Sequence, residues 1–448
     1  MENDPVLRPP NGLVYGLEDR MPPGPALLVS LQQVSAMVVG VITPALLLSN
    51  ILKFSAADTA YLTSMALVAA ALGTFLQTTR IGPIGSGLLS VTGTSFAFIQ
   101  PLMQAGKVGG LPLMFGMSLA AAPVNLLLAP FLPKLRRLFS PLVCGIVVLL
   151  IGISIIPEAM YGIIASPGPG APSWAGAAVA GCVIAAVVAA QAVGQPWTRL
   201  SGILFGVAAG YAVCALCGWL HAPPPNESGW VTLPRMAPHG LSFRWEFLLP
   251  FAFIYVVSVI ESLGDMTATA QLSGLKTRGP EHGFRMRAGI YADGITTVIS
   301  ALIGSFPSTT YAQNNGVIQI TGVASRYVGR WMAAILALLG LFPIVARWVT
   351  AMPPAVLGGL ALMLFGLVSV AGLRLISHAG LSHRNALVVA LSLAAGIGAP
   401  SQGAWLETLP PVLHALLESG VAAGGVMALI LNLLLPSDQE SPVALGSE

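Results

Sequence analysis

The sequence predicts an all-α polytopic membrane protein. Fourteen transmembrane spans are expected, in two inverted seven-span repeats, with short extended segments in spans 3 and 10. Three observations predict this class. The 448 residues are 55% hydrophobic and only 8% charged, with a mean hydropathy of +0.82, whereas soluble globular proteins carry about 25% charged residues. Apolar runs of membrane-spanning length recur along almost the whole chain. The few basic residues fall between those runs with a strong bias to one side. A water-soluble enzyme is excluded, because the chain lacks the charge to cover a soluble surface. Nucleic-acid binding is excluded too: 20 Lys and Arg stand against 17 Asp and Glu, a net +3, with no basic stripe to neutralise phosphates.

The chain opens on a polar, proline-rich segment, 1–24, read as a cytoplasmic tail. It lacks the basic start and short apolar core of a cleavable signal peptide. A span needs about 20 apolar residues. Spans 1 to 7 are expected at 25–49, 57–79, 83–104, 111–132, 138–157, 172–193 and 200–219, and spans 8 to 14 at 246–270, 285–304, 308–324, 328–348, 353–373, 385–400 and 409–435. Spans 3, 10 and 13 are short or polar, which marks them as candidates for broken elements. Residues 220–245 form the longest polar connection, between the two sets of seven, and 436–448 a polar tail.

With the N-terminus inside, Lys53, Lys107, Arg235, Arg244 and Arg347 fall outside and the other fifteen basic residues inside. That is the bias of the positive-inside rule. An even number of spans returns the C-terminus to the same side, so both termini are expected in the cytoplasm and the protein in the cytoplasmic (inner) membrane. An odd number per half forces the second half to enter from the opposite side, as in the inverted repeats of many secondary transporters. The local echo of that repeat lies in the third span of each half. Residues 85–98 (GSGLLSVTGTSFAF) and 308–322 (STTYAQNNGVIQITG) mix Gly, Ser, Thr and β-branched residues where a plain span would be rich in Leu and Ala. Such backbone leaves the helix only where protein buries it or a cavity borders it. Each is expected to be an extended segment leading into a half-helix whose N-terminal dipole faces a ligand.

Three carboxylates fall inside spans: Glu261, Asp265 and Asp293. A carboxylate in the bilayer costs at least a few kcal/mol, so it is a candidate for function by default. Glu261 and Asp265 are spaced i, i+4 and share a helix face, with no Lys or Arg in that span to neutralise them. Repulsion between them in a partly dry site makes the pair a candidate proton carrier. Glu261 is the leading site residue; Asp265 and Asp293 are expected in structural or proton-linked roles. A second cluster comprises Gln313, Asn314, Asn315 and Gln319, with Gly316, Thr321 and Gly322 among them. Amides at membrane depth are costly unless paired, and each offers a donor beside an acceptor. That matches the edge of a nucleobase, where a ring N–H adjoins a carbonyl. A Gln facing a carboxylate would hold such a planar ligand, with Phe96 and Tyr311 available for stacking. In span 1, Gln32 and Gln33 interrupt an apolar run; Gln33 is expected to reach the site and Gln32 to pack near the cytoplasmic end.

Cys144, Cys182, Cys214 and Cys217 all lie in apolar runs, and the Cys214/Cys217 pair has no second pair or nearby His, which makes it packing. His414 is the only His within a span, expected at an interface or in packing. No His cluster has metal-ligand spacing, no ATP-binding loop occurs, and no nucleophile–base set is present. No catalytic residue, metal or cofactor is therefore expected, and the chain is not expected to be an enzyme or a primary pump.

The stretch Gln313–Gly322 resembles the signature of the nucleobase–ascorbate transporter family, or nucleobase:cation symporter-2: Gln/Glu/Pro, Asn, any, Gly, four of any, Thr, Arg/Lys/Gly. Glu261–Asp265 (ESLGD) resembles its eighth-span motif, 90–96 (SVTGTSF) its third-span segment, and 31–37 (LQQVSAM) its first-span motif. The resemblance spans about 25–435 and points to the xanthine/uric acid permease branch. It implies a core domain of spans 1–4 (25–132) and 8–11 (246–348), and a gate domain of spans 5–7 (133–219) and 12–14 (349–435). It also implies elevator motion of core past gate within a homodimer, with a proton as coupling ion and Na⁺ as the alternative. Carried over by motif, Glu261 and Gln313 hold the purine through side chains. Ser95 and Phe96 line the site, and Gln33 and Asn314 complete it. Asp265, Asp293, Gly316, Thr321, Gly322 and Ser419 support binding or coupling. Gln at 313 points to xanthine or urate rather than uracil. Gly322 resembles bacterial xanthine permeases, whereas Ser95 and Ser419 resemble urate-carrying relatives. Gln33 departs from the family's His.

Two other readings are open: another nucleobase:cation symporter, including a uracil carrier, and an anion carrier of related architecture. The anion reading predicts a more basic site and no signature of this kind.

Overall fold

A computed structural model describes residues 13–132, 140–168, 170–193, 195, 198, 201–220 and 230–436. Arg8, Lys134, Arg136, Arg137 and Arg199 of the basic residues lie outside the described residues, as do His221, the tail segments 1–12 and 437–448, and 221–229 of the connection.

The first half holds α1 (Pro23–Leu52), α2 (Ala56–Thr79), the strand β1 (Thr92–Thr94), α3 (Ile99–Ala121), α4 (Pro123–Leu128), α5 (Pro141–Ile164), α6 (Ala175–Ala192) and α7 (Gly202–Leu216). The second half holds α8 (Leu248–Leu272), α9 (Pro280–Leu302), β2 (Ser308–Thr310), α10 (Gln313–Thr321), α11 (Arg326–Leu341), α12 (Pro343–Thr350), α13 (Pro354–Ala379), α14 (His383–Gly398), α15 (Pro411–Glu418) and α16 (Gly420–Leu434). Several starts follow from local chemistry. Proline opens α1, α5, α9, α13 and α15, where its missing N–H costs nothing. Ser55, Ser140, Ser325, Ser382 and Ser419 accept a backbone N–H of the following turn.

The chain is a multi-pass membrane protein: among the described residues seven helices are long and apolar enough to cross a membrane, or eight if α15 and α16 count as one bent span. Fourteen spans are not reached by length alone, because the chain divides several of the expected ones. Spans 3 and 10 contain β1 and β2, as their composition predicts. In α3 the backbone breaks at Gly110, with φ of 61°, just before Pro112, and so separates span 3 from span 4. Span 11 divides before Pro343, which has no N–H to continue the helix. Span 13 differs from expectation: α14 runs unbroken from His383 to Gly398. The break lies instead in span 14, where α15 and α16 meet at 96° and Ser419 caps the second helix.

The helices pack in two groups. One gathers α1, α2, α9 and α11 around β1 and β2, with α3, α4, α8, α10 and α12 attached. In the other, α5 lies along α13, with α6, α7, α14 and α16 beside them. Small residues let α5 and α13 meet: a Cβ added to Gly162 would sit 3.0 Å from Gly358 Cα. Lipid tails give no hydrophobic drive between helices, so such close packing holds them. Arginines expected on one side of the membrane do share an end. The Arg20, Arg326 and Arg330 guanidiniums all lie within 5.4 Å of the Tyr327 ring centroid.

Candidate substrate site

The site forms where the two halves exchange strand hydrogen bonds. β1 and β2 pair antiparallel with Thr92 opposite Thr310, Gly93 opposite Thr309 and Thr94 opposite Ser308. Ser95 N donates to Pro307 O at 2.9 Å and Tyr311 N to Val91 O at 2.8 Å, extending the pairing at both ends. Each strand supplies the partners the other lacks, which lets non-helical backbone stay buried. Gly93 is needed there: a Cβ would lie 2.6 Å from Tyr311 Cζ. Each strand feeds a helix start, at Phe96 in the first half and at Gln313 in the second, so the positive ends of two helix dipoles adjoin the pair.

α8 crosses this junction and carries Glu261 and Asp265 on one face. Asp265 is held. Its Oδ2 accepts from Thr310 Oγ1 at 3.5 Å, and its carbonyl accepts from Thr269 Oγ1 at 2.9 Å and Asn315 Nδ2 at 3.4 Å. Thr269 Oγ1 also contacts Asn315 Oδ1 at 2.7 Å, and the Ser262 and Thr309 hydroxyls bond at 2.9 Å. α8 is thereby tied to β2 and α10. Glu261 is half-buried, yet its carboxylate accepts no hydrogen bond among the described residues. Gln313, at the first position of α10, is exposed, and its amide is likewise uncommitted among them. Gly264 and Gly316, beside the two, face open space in which an added Cβ meets nothing within 4 Å.

Asp293, 2% exposed on α9, is bound by a residue that sequence reasoning missed. Gln77 of α2, fully buried, donates from Nε2 to Asp293 Oδ1 at 2.8 Å and to Gly289 O at 2.9 Å. Its Oε1 accepts from Ser86 N at 3.1 Å. One amide thus joins α2, the approach to β1 and α9. The signal that would have found it is the one that drew attention to Gln32 and Gln33: a lone amide in an apolar span.

An aromatic slot borders the junction. Phe96 and Tyr311 stack with centroids 6.2 Å apart and planes at 16°, and Phe365 of α13 meets Phe96 edge-on at 5.5 Å. Tyr311 OH donates to Thr94 O at 2.8 Å, and Gly40 of α1 lies so near that a Cβ there would be 3.3 Å from Tyr311 Cε2. Phe365 was not foreseen, since a Phe in an apolar span carries no distinguishing mark.

The other expected residues are placed less centrally. Asn314 is 3% exposed and donates its amide to Leu89 O, so it ties α10 to the segment before β1. The Ser95 hydroxyl is buried without a partner among the described residues. Gln33 is 1% exposed with both amide atoms unpaired; Gln32, expected at a span end, is buried as well. Gln104 of α3, not foreseen, is also buried and unpaired. Thr321 Oγ1 returns to Val317 O at 2.8 Å, and Gly322 ends α10 with φ of 65°. The Ser419 hydroxyl caps α16, accepting from Ala422 N at 3.3 Å. Among the described residues, no group of His, Cys, Asp and Glu could hold a metal ion.

Comparison with known proteins gives a consistent result. The xanthine permeases XanP and XanQ of Escherichia coli (strain K12) are each 38% identical to this chain, covering 97% and 95% of it and 97% and 94% of their own length. A purine permease of Emericella nidulans is 32% identical over 97% of this chain and 85% of its own length. Among solved structures, the transmembrane domain of the cyanobacterial bicarbonate transporter BicA matches with a TM-score of 0.58 at 14% identity, covering 93% of this chain and 99% of that one. SLC26A9 matches at 0.62 and 13%, covering 91% of this chain and 65% of that one. These two likenesses show the fold alone. The Xan_ur_permease model, described as a permease family, matches residues 24–404, and the chain therefore belongs to that family of membrane permeases, not to a family of enzymes.

Proposed function

We propose that this protein imports an oxidised purine, xanthine or urate or both, across the cytoplasmic membrane by coupling to protons. The observation that carries this reading is that two side chains uncommitted among the described residues flank the paired strands: Glu261 on α8, which is bonded to β2, and Gln313 at the start of the helix that β2 feeds. A carboxylate accepts two N–H groups, and an amide donates and accepts at once; together they match the edges of a purine dione. Phe96 and Tyr311 offer the ring face. The substrate names of the relatives, xanthine and purine, agree with that chemistry. The anion-carrier reading meets carboxylates where it needs cations.

In the mechanism proposed, Glu261 binds substrate, while Asp265 and Asp293 hold the geometry and share the proton. The group around β1 and β2 is the core (25–132 and 246–348), which slides as an elevator past the gate (133–219 and 349–435). Two copies form the working unit, as the family resemblance implies, and both termini lie in the cytoplasm, a reading supported by the bias of basic residues and the even number of expected spans.

The test is uptake of labelled xanthine and urate in a purine-transport-deficient cell, with and without a proton uncoupler. Accumulation of either that collapses with the uncoupler is expected. No accumulation overturns the substrate assignment, and accumulation that the uncoupler leaves untouched overturns proton coupling.

A further inference from the structure

The first described residues run as a strap across the end of α10. Val14 N and Tyr15 N donate to Gly322 O at 2.8 and 3.1 Å, Ala324 N to Tyr15 O at 2.9 Å, and Arg326 N to Leu17 O at 3.1 Å. Ser325 Oγ donates to Asp19 O at 2.6 Å. The strap delivers Arg20 to the start of α11, where Arg326 and Arg330 stand one turn apart. The three guanidinium carbons lie 5.3, 5.4 and 5.0 Å from the Tyr327 ring centroid. One carboxylate answers them: Glu18, with its Oε2 2.7 Å from Arg326 Nη2. Asp19 Oδ2 is taken by Gly16 N at 2.7 Å. Arg20 and Arg330 therefore have no carboxylate partner among the described residues.

Beside them opens a cavity of about 460 Å³, lined by Arg20, Met21, Tyr327, Arg330, Trp331 and Ala334. That volume lies in the range of small-ligand sites. Its surroundings change character across a short distance. Trp331 is 40% exposed, and farther along the neighbouring helices Leu28, Leu31 and Leu338 are bare at 63%, 44% and 55%. A tryptophan beside arginines, followed by bare leucines, marks the level where membrane meets water.

We propose that this cavity binds an anionic phospholipid, with the headgroup phosphate between Arg20 and Arg330 and the acyl chains over the apolar faces of α1 and α11. The planar guanidinium fork matches phosphate oxygens in pairs. The phosphate supplies the negative charge that the clustered arginines lack, and basic pockets of this kind between helices hold anionic headgroups. The apolar continuation selects a lipid over free phosphate. Because Arg20 sits on the strap and Arg330 on α11, the lipid fastens the strap to the helix that follows the signature segment. The site lies outside the substrate junction and does not depend on which substrate is carried.

Purified protein in neutral detergent would be titrated with phosphatidylglycerol, phosphatidylcholine or inorganic phosphate, reading the melting temperature and, by native mass spectrometry, lipid retention. Phosphatidylglycerol is expected to raise the melting temperature and to be retained in preference to phosphatidylcholine. The exposed-site variant Arg330→Gln should weaken phosphatidylglycerol binding about fivefold, and Arg20→Gln with Arg330→Gln about 25-fold. Arg244→Gln, a surface arginine elsewhere, should leave it unchanged. Equal retention of the two lipids by the wild type overturns the proposal even if the double variant fails to fold. So does a full melting shift from phosphate alone, or an undiminished response in Arg330→Gln.

Discussion

Two side chains carry the sharpest tests at the level of single residues. Glu261 is uncommitted among the described residues, so Glu261→Gln removes an acceptor from the substrate without breaking a protein contact. We expect that variant to reach the membrane at normal levels and to lose uptake; near-normal uptake would refute the role. Gln77 is the opposite case, with both of its amide hydrogens spent. Gln77→Leu leaves the Asp293 carboxylate and the Ser86 N–H buried without that partner. A cost of about 1–3 kcal/mol is expected for stranding such a group, and more for a charged one. Thermal melting of the purified variant measures it, and uptake should fall with it. A melting temperature equal to wild type would mean that Gln77 does not hold Asp293.

At the level of elements, the paired strands explain why so polar a segment is stable at membrane depth. The site is built from backbone that would be unsatisfied in either half alone. Gly93→Val drives a branched side chain into Tyr311 and should cost about 1–3 kcal/mol as overpacking. It also displaces the Phe96–Tyr311 stack, so weaker xanthine binding by calorimetry should accompany the lower melting temperature. Wild-type affinity with lowered stability would separate the strand from the site. The bend at Ser419 makes the contrasting prediction. Its hydroxyl caps α16, so Ser419→Ala should lose about 0.5–2 kcal/mol while the ratio of xanthine to urate uptake stays the same. A changed ratio would instead support the site role that the family resemblance implies.

At the level of the whole molecule, the question is whether the two helix groups slide. A cleft of about 380 Å³ lies between the end of α1 and the start of α13, bordered by Leu46, Asn50 and Leu357 among others. Cysteines at Leu46 and Leu357, joined by a short bis-maleimide, would pin the groups together. The background must lack Cys144, Cys182, Cys214 and Cys217, none of which is in a disulfide among the described residues. Cross-linking is expected to abolish uptake, and reduction of a cleavable linker to restore it. Full uptake by the linked protein would rule out sliding at that boundary.

The sequence by itself determined the class, the family and the two central segments where the backbone leaves the helix. Hydropathy is a local property, and scarce charge at membrane depth singled out Glu261, Asp265 and Asp293 with no knowledge of contacts. The composition of 85–98 and 308–322 likewise announced extended backbone, because Gly, Thr and Ser in such a run do not make a plain span. Tertiary structure alone decided what each polar group meets. Asn314 looked like a ligand group within its motif, yet its amide goes to Leu89; Gln77 looked like ordinary span, yet it holds Asp293. It also decided that α14 is continuous and that span 14 bends, since the break depends on the cap at Ser419. The physical reason is range. Propensity and hydropathy act over one or two turns, whereas a hydrogen bond from Gln77 to Asp293 joins residues 216 positions apart, which only the folded chain brings together.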